Sequence, residues 1–116
     1  MKITDLFGEA TEYDKKQAVE HKKVKSWLKS VSAFANTAGG TLIFGITDGE
    51  EIVGLEDIKS DSEFISQKIK ERISPFPEVI MKLRKTEDEK DLLLLYVPAG
   101  AETPYYYTGD GVTEAY

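Results

Sequence analysis

Residues 26–54 read Ser-Trp-Leu-Lys-Ser-Val-Ser-Ala-Phe-Ala-Asn-Thr-Ala-Gly-Gly-Thr-Leu-Ile-Phe-Gly-Ile-Thr-Asp-Gly-Glu-Glu-Ile-Val-Gly, and this stretch decides the fold. With Val24, the residues Trp27, Leu28, Val31, Phe34 and Ala35 recur at spacings of three and four, which gathers apolar side chains on one face of a helix. That face predicts packing on a sheet. Ser26 is the expected N-cap, Gly39 or Gly40 the left-handed residue that ends the helix, and Thr37 the approximate end. Thr41 to Thr47 is then a short β-rich run, Asp48-Gly49 a turn pair tolerant of positive φ, and Ile52-Val53 the start of a return strand. A helix, a glycine stop and a hairpin are expected.

Downstream, Leu55 to Ser60 reads as a connection, and Asp61 or Ser62 as the cap of a second amphipathic helix ending near Ile73. Ser74-Pro75-Phe76-Pro77 stops it, because proline lacks a donor and disfavours helical geometry in the residue before it. Val79, Met81 and Leu83 alternate with Ile80, Lys82 and Arg84 at the period of a half-exposed strand. After the charged turn 86–91, Leu92 to Val97 is a continuous apolar run, the signature of a central strand covered on both faces. Pro104 to Tyr107 and Val112 to Tyr116, parted by Gly109-Asp110-Gly111, complete a last pair of short strands. The expected class is α+β, with a mixed or antiparallel sheet of about six strands and two main helices.

The 116 residues suffice for one domain with a single core. The apolar fraction of 41% and charged fraction of 31% are those of a globular chain. No apolar run approaches the roughly 20 residues that span a bilayer, and the N-terminus lacks a signal-peptide pattern, so a cytoplasmic location away from membranes is expected. There are no cysteines, which excludes disulfides, thiol catalysis and thiolate metal sites; His21 is the sole histidine.

Net charge is −6, yet it is unevenly spread. Lys15, Lys16, Lys22, Lys23, Lys25 and Lys29 face one acid, Glu20, between positions 15 and 29. That window is basic within an acidic chain. Lysines bind phosphates without reading sequence, so the patch suits a nucleic-acid backbone; it equally suits a solvated loop and helix edge.

Ala33-Phe34-Ala35-Asn36-Thr37-Ala38-Gly39-Gly40, Leu42-Ile43-Phe44-Gly45-Ile46-Thr47-Asp48 and Ile52-Val53-Gly54 resemble the signature of the Schlafen/AlbA-like domain family, described as DNA-binding. Glu9 to Lys16 fits an upstream family pattern with two departures: Asp14 stands where Glu is usual and Lys15 where an aromatic is usual. The resemblance favours a strand there, which propensity alone leaves ambiguous. It also implies that this is the N-terminal module of a longer regulatory protein, with a further domain after Tyr116.

In Schlafen-type endoribonucleases, carboxylates at the positions of Glu9, Asp14 and Asp48 are implicated in metal-dependent RNA cleavage. The resemblance thus implies a Mg²⁺ or Mn²⁺ site, since hard carboxylate oxygens suit such ions. Against this, residues five apart on a regular strand point to opposite faces, and Asp48 also reads as an ordinary turn residue. Asn36, Gly39, Gly40, Gly45 and Gly54 read as structural. Trp27 reads as core, and His21 as an exposed loop residue. Three functions stay open: a nucleic-acid-binding module with transcriptional-regulator character, a metal-dependent endoribonuclease, and a protein-interaction domain that forms homo-oligomers.

Overall fold

The structure, a computed structural model, describes residues 12–116. Its elements are β1 (Tyr13–Lys16), α1 (Lys25–Ala35), β2 (Gly40–Phe44), α2 (Ile58–Arg72), β3 (Ile73–Ser74), β4 (Ile80–Lys85), β5 (Asp91–Val97), β6 (Tyr106–Gly109) and β7 (Val112–Ala115). The α+β class and the two helices are as expected. The strands divide into two sheets, one ordered β1-β2-β5-β4 and one ordered β3-β6-β7.

The expected face of α1 is buried: Trp27, Leu28, Val31, Phe34 and Ala35 all lie in the main core. Its start differs from expectation. The helix begins at Lys25, and Val24 occupies the cap in helical conformation without a side-chain bond. Ser26 is no N-cap; its N–H donates to the carbonyl of Lys23, so a backbone turn replaces the side-chain cap.

Gly39 ends the helix with φ +88°, and a side chain there would press to 2.9 Å from the Val97 carbonyl. Gly40 has the same crowding, because a Cβ would sit 2.5 Å from the Phe34 ring. The two glycines let α1 turn back onto β2 at close range.

The expected β2 hairpin is reduced to one bridge, Ile46 to Ile52. Strand β2 instead pairs in parallel with β1 and antiparallel with β5. The reason lies in β5, whose Leu92, Leu93, Leu94, Leu95 and Val97 are all buried. Each buried aliphatic side chain is worth about 1.5–3 kcal/mol, so the row of β5 outweighs the two-residue Ile52-Val53 return. Leu93, Leu95 and Val97 face the helices, and Leu92 and Leu94 face a smaller cluster with Ile43 and Ile46. The expected β4–β5 hairpin forms, with Met81 opposite Leu95 and Arg84 opposite Leu92.

Helix α2 starts earlier than expected, at Ile58, and its cap is Asp57 rather than Asp61 or Ser62: the Asp57 carboxylate accepts from the Ser60 N–H at 3.1 Å. Strands β6 and β7 form the predicted last pair around Asp110 and Gly111, and β3, continuing from α2, pairs with β6.

Candidate nucleic-acid interface

The loop between β1 and α1 carries Lys22 and Lys23 of the basic window, and contacts with the core and both helices fix it. Val19 and Val24 are buried in the core. The Trp27 indole N–H donates to the Glu20 carbonyl at 3.0 Å. The His21 ring stacks on Phe64 of α2 with centroids 3.9 Å apart and 8° between planes, and its Nε2 meets the Asp61 carboxylate at 2.9 Å. The lysines therefore hang from an ordered support.

Beside this loop runs a groove of about 290 Å³, lined by His21, Lys22, Lys23, Val24, Lys25, Lys68, Arg72 and Asp110. Five cations and one carboxylate make up its charged lining. Val24 and Lys25 open α1, so the positive end of that helix also faces the groove and adds to its attraction for anions. The cations come from two segments far apart in sequence, the 22–25 loop and the last two turns of α2.

Three of the five cations have carboxylate partners. Lys25 Nζ lies 3.2 Å from Glu114, Lys68 Nζ 3.1 Å from Glu71, and Arg72 Nη1 3.5 Å from Asp110. The hydroxyl of Tyr116 and the Lys25 ammonium hold the Glu114 carboxyl below its ordinary value, and Tyr116 and Glu114 in turn push Lys25 up. Contact with the Tyr107 hydroxyl raises Arg72. Lys22 and Lys23 are exposed and form no ion pair among the described residues.

The other lysines of the window lie elsewhere. Lys15 Nζ donates to the Asp48 carbonyl at 3.1 Å and sits 3.9 Å from Glu50. Lys16 pairs with Asp14 at 3.5 Å, and Lys29 is exposed midway along α1. At the other end of α1, Asn36 reaches further than the neighbouring backbone. Its amide donates to the carbonyls of Tyr105 and Tyr116 at 2.8 Å each and accepts from the Tyr105 N–H at 2.6 Å. Tyr105 and Tyr107 are buried, so only Tyr106 of the three shows part of its ring.

Of the three carboxylates of the metal-dependent alternative, Glu9 lies outside the described residues. Asp14 accepts from the Ser30 hydroxyl at 2.8 Å, so it points toward α1. Lys15, the next residue on the strand and hence on the opposite face, is the one that reaches the 48–50 turn. The Asp14 carboxylate has the Lys16 ammonium 3.5 Å away, whereas Lys15 meets the backbone carbonyl of Asp48 rather than its carboxylate.

The sequence profile of the family Schlafen, AlbA_2 matches residues 9–116, nearly the whole chain. The chain belongs to this family. Its fold is similar to the solution NMR structure of the N-terminal domain of a protein from Nitrosomonas europaea named as related to the ATP-dependent DNA helicase RecG. The TM-score is 0.70 at 25% identity, over 97% of this chain and 80% of the other. No curated protein sequence matches the chain. No helix among the described residues is long and apolar enough to cross a membrane.

Sequence reasoning found half of the groove. Lys22, Lys23 and Lys25 lie in one charge run, whereas Lys68 and Arg72 belong to a helix that the sequence marks only as amphipathic. His21 reads as an exposed loop residue, and its stacking partner Phe64 lies far along the chain in α2. No local pattern signals such a pair.

Proposed function

We propose that the groove between the 21–25 loop and the C-terminal half of α2 binds the phosphate backbone of a nucleic acid. The observation that carries this reading is the convergence of Lys22, Lys23, Lys25, Lys68 and Arg72, from two separate segments, on one groove at the positive end of α1. Family membership and the helicase-related neighbour support it. Lysine and arginine side chains set on an ordered loop and a helix fix the register of a backbone without reading bases. The domain would thus serve a larger regulatory protein as a sequence-tolerant nucleic-acid anchor.

Fluorescence anisotropy with labelled single- and double-stranded DNA and RNA, at low and moderate salt, tests the proposal. Binding should fall steeply with salt. Lys22→Ala combined with Lys23→Ala should weaken all sequences alike and flatten the salt slope by about two. An unchanged affinity in that double variant would overturn the assignment.

A further inference from the structure

Two carboxylates reach the cations of this groove from a single hairpin. Asp110, in the β6–β7 turn, places Oδ2 3.5 Å from Arg72 Nη1 and 3.2 Å from the Tyr107 hydroxyl. Glu114, on β7, places Oε2 3.2 Å from Lys25 Nζ and also accepts from the Tyr116 hydroxyl. Neither acid is buried, with side chains 71% and 41% exposed. Exposed pairs of this kind are weak and readily exchanged.

The cations are held in place by other groups as well. Arg72 Nη1 donates to the Tyr107 hydroxyl at 3.1 Å. The Lys25 ammonium lies 5.7 Å from the Tyr107 ring centroid and 5.9 Å from that of Tyr116, within reach of both π faces. Each cation would therefore keep its position if its carboxylate departed. A carboxylate resting on a preorganised cation in a phosphate groove stands where a phosphate oxygen would.

We infer that the β6–β7 hairpin is a built-in competitor for the groove: Asp110 at Arg72 and Glu114 at Lys25 mark two phosphate subsites, which a polyanion fills by displacing the two carboxylates. This rests on the nucleic-acid reading of the same groove. The ligand class is narrowed by it. A single phosphate can replace only one carboxylate, whereas consecutive phosphates of a strand can replace both while also meeting Lys22 and Lys23. The hairpin acids thus favour polymers over mononucleotides and raise the threshold for binding.

The test combines Asp110→Asn with Glu114→Gln and measures anisotropy on the same labelled oligonucleotides. Both changes remove charge while keeping shape, and Asn tolerates the positive φ of 52° at position 110. A control removes the same two charges from the β4–β5 turn, which lines no part of the groove, by Glu87→Gln with Asp88→Asn. The hairpin variant should bind on the order of fivefold tighter than wild type, and the control should stay close to wild type. Equal affinity of hairpin variant and wild type, or an equal gain in the control, would overturn the inference. Glu114→Gln alone, with an amide NMR spectrum confirming the fold, should give a smaller gain in the same direction. Loss of binding in the Lys22→Ala, Lys23→Ala protein alongside an unaltered hairpin variant would sink the competitor and leave the groove assignment standing. A wild type and hairpin variant that are both inert toward every oligonucleotide would end both.

Discussion

The two ends of helix α1 both attach the second sheet, and they do so by opposite means. At the C-terminal end, Asn36 and Ser32 hold the backbone of Tyr105 and Tyr116 through neutral hydrogen bonds, several of them buried or half-buried. At the N-terminal end, Lys25 holds Glu114 across an exposed ion pair. A buried neutral bond has no water to replace it and is costly to leave unmade, whereas an exposed ion pair exchanges its partner for solvent or another anion at little cost. One end is an anchor. The other is a contact that a ligand can take over.

Trp27 tests what the two ends share, and it should show the largest effect. It is fully buried in the core and its N–H holds the loop that carries Lys22 and Lys23. Trp27→Ala should cost about 3–5 kcal/mol, read from urea unfolding, and should blunt the contrast by loosening both ends at once.

Asn36→Ala isolates the anchor. It removes three backbone bonds and leaves the Tyr105 carbonyl to Ser32 alone, for an expected loss of about 1–3 kcal/mol. Hydrogen exchange should rise in β6 and β7 while the β1-β2-β5-β4 sheet keeps its protection. Unaltered exchange at Tyr105 to Tyr107 would mean that Asn36 is dispensable to the second sheet.

The smallest effect belongs to the charged end and depends on pH. The Glu114 carboxyl is held below its ordinary value of 4.5, first by the Tyr116 hydroxyl and then by Lys25. Its contribution is therefore complete above that value and is lost as pH falls through the lowered folded one. Side-chain NMR of Glu114 should titrate below the ordinary glutamate range, and the Lys25 and Tyr116 signals should move with it. Asn36 signals should stay still across the same window, since no charge resides there. A Glu114 titration at the ordinary value would remove the pairing with Lys25.

Much of the scaffold could be read before the structure, because the decisive patterns are local. The spacing of Trp27, Leu28, Val31 and Phe34 and the unbroken run from Leu92 to Val97 each encode burial on their own. Competition between distant segments is what escaped. Asp48-Gly49 is a sound turn, yet the partner of β2 was settled by β5, about fifty positions further on, whose leucines bury more surface than Ile52 and Val53 can. The start of α1 likewise depends on a backbone turn at Lys23 and Val24 rather than on the Ser26 side chain. The groove follows the same rule: its loop half lay in one charge run, and its α2 half was visible only once His21 had stacked on Phe64 and brought the two segments side by side.

The place of β5 between β2 and β4 also carries a consequence for synthesis. The chain emerges from the ribosome with α1 and β2 complete long before residues 91–97 exist outside the tunnel. Until then Leu42, Ile43 and Phe44 have β1 on one side and an open edge of unpaired amides and carbonyls on the other. The larger sheet closes only when its inner strand arrives late and slots between neighbours made earlier, so this domain matures near the end of its own translation rather than element by element.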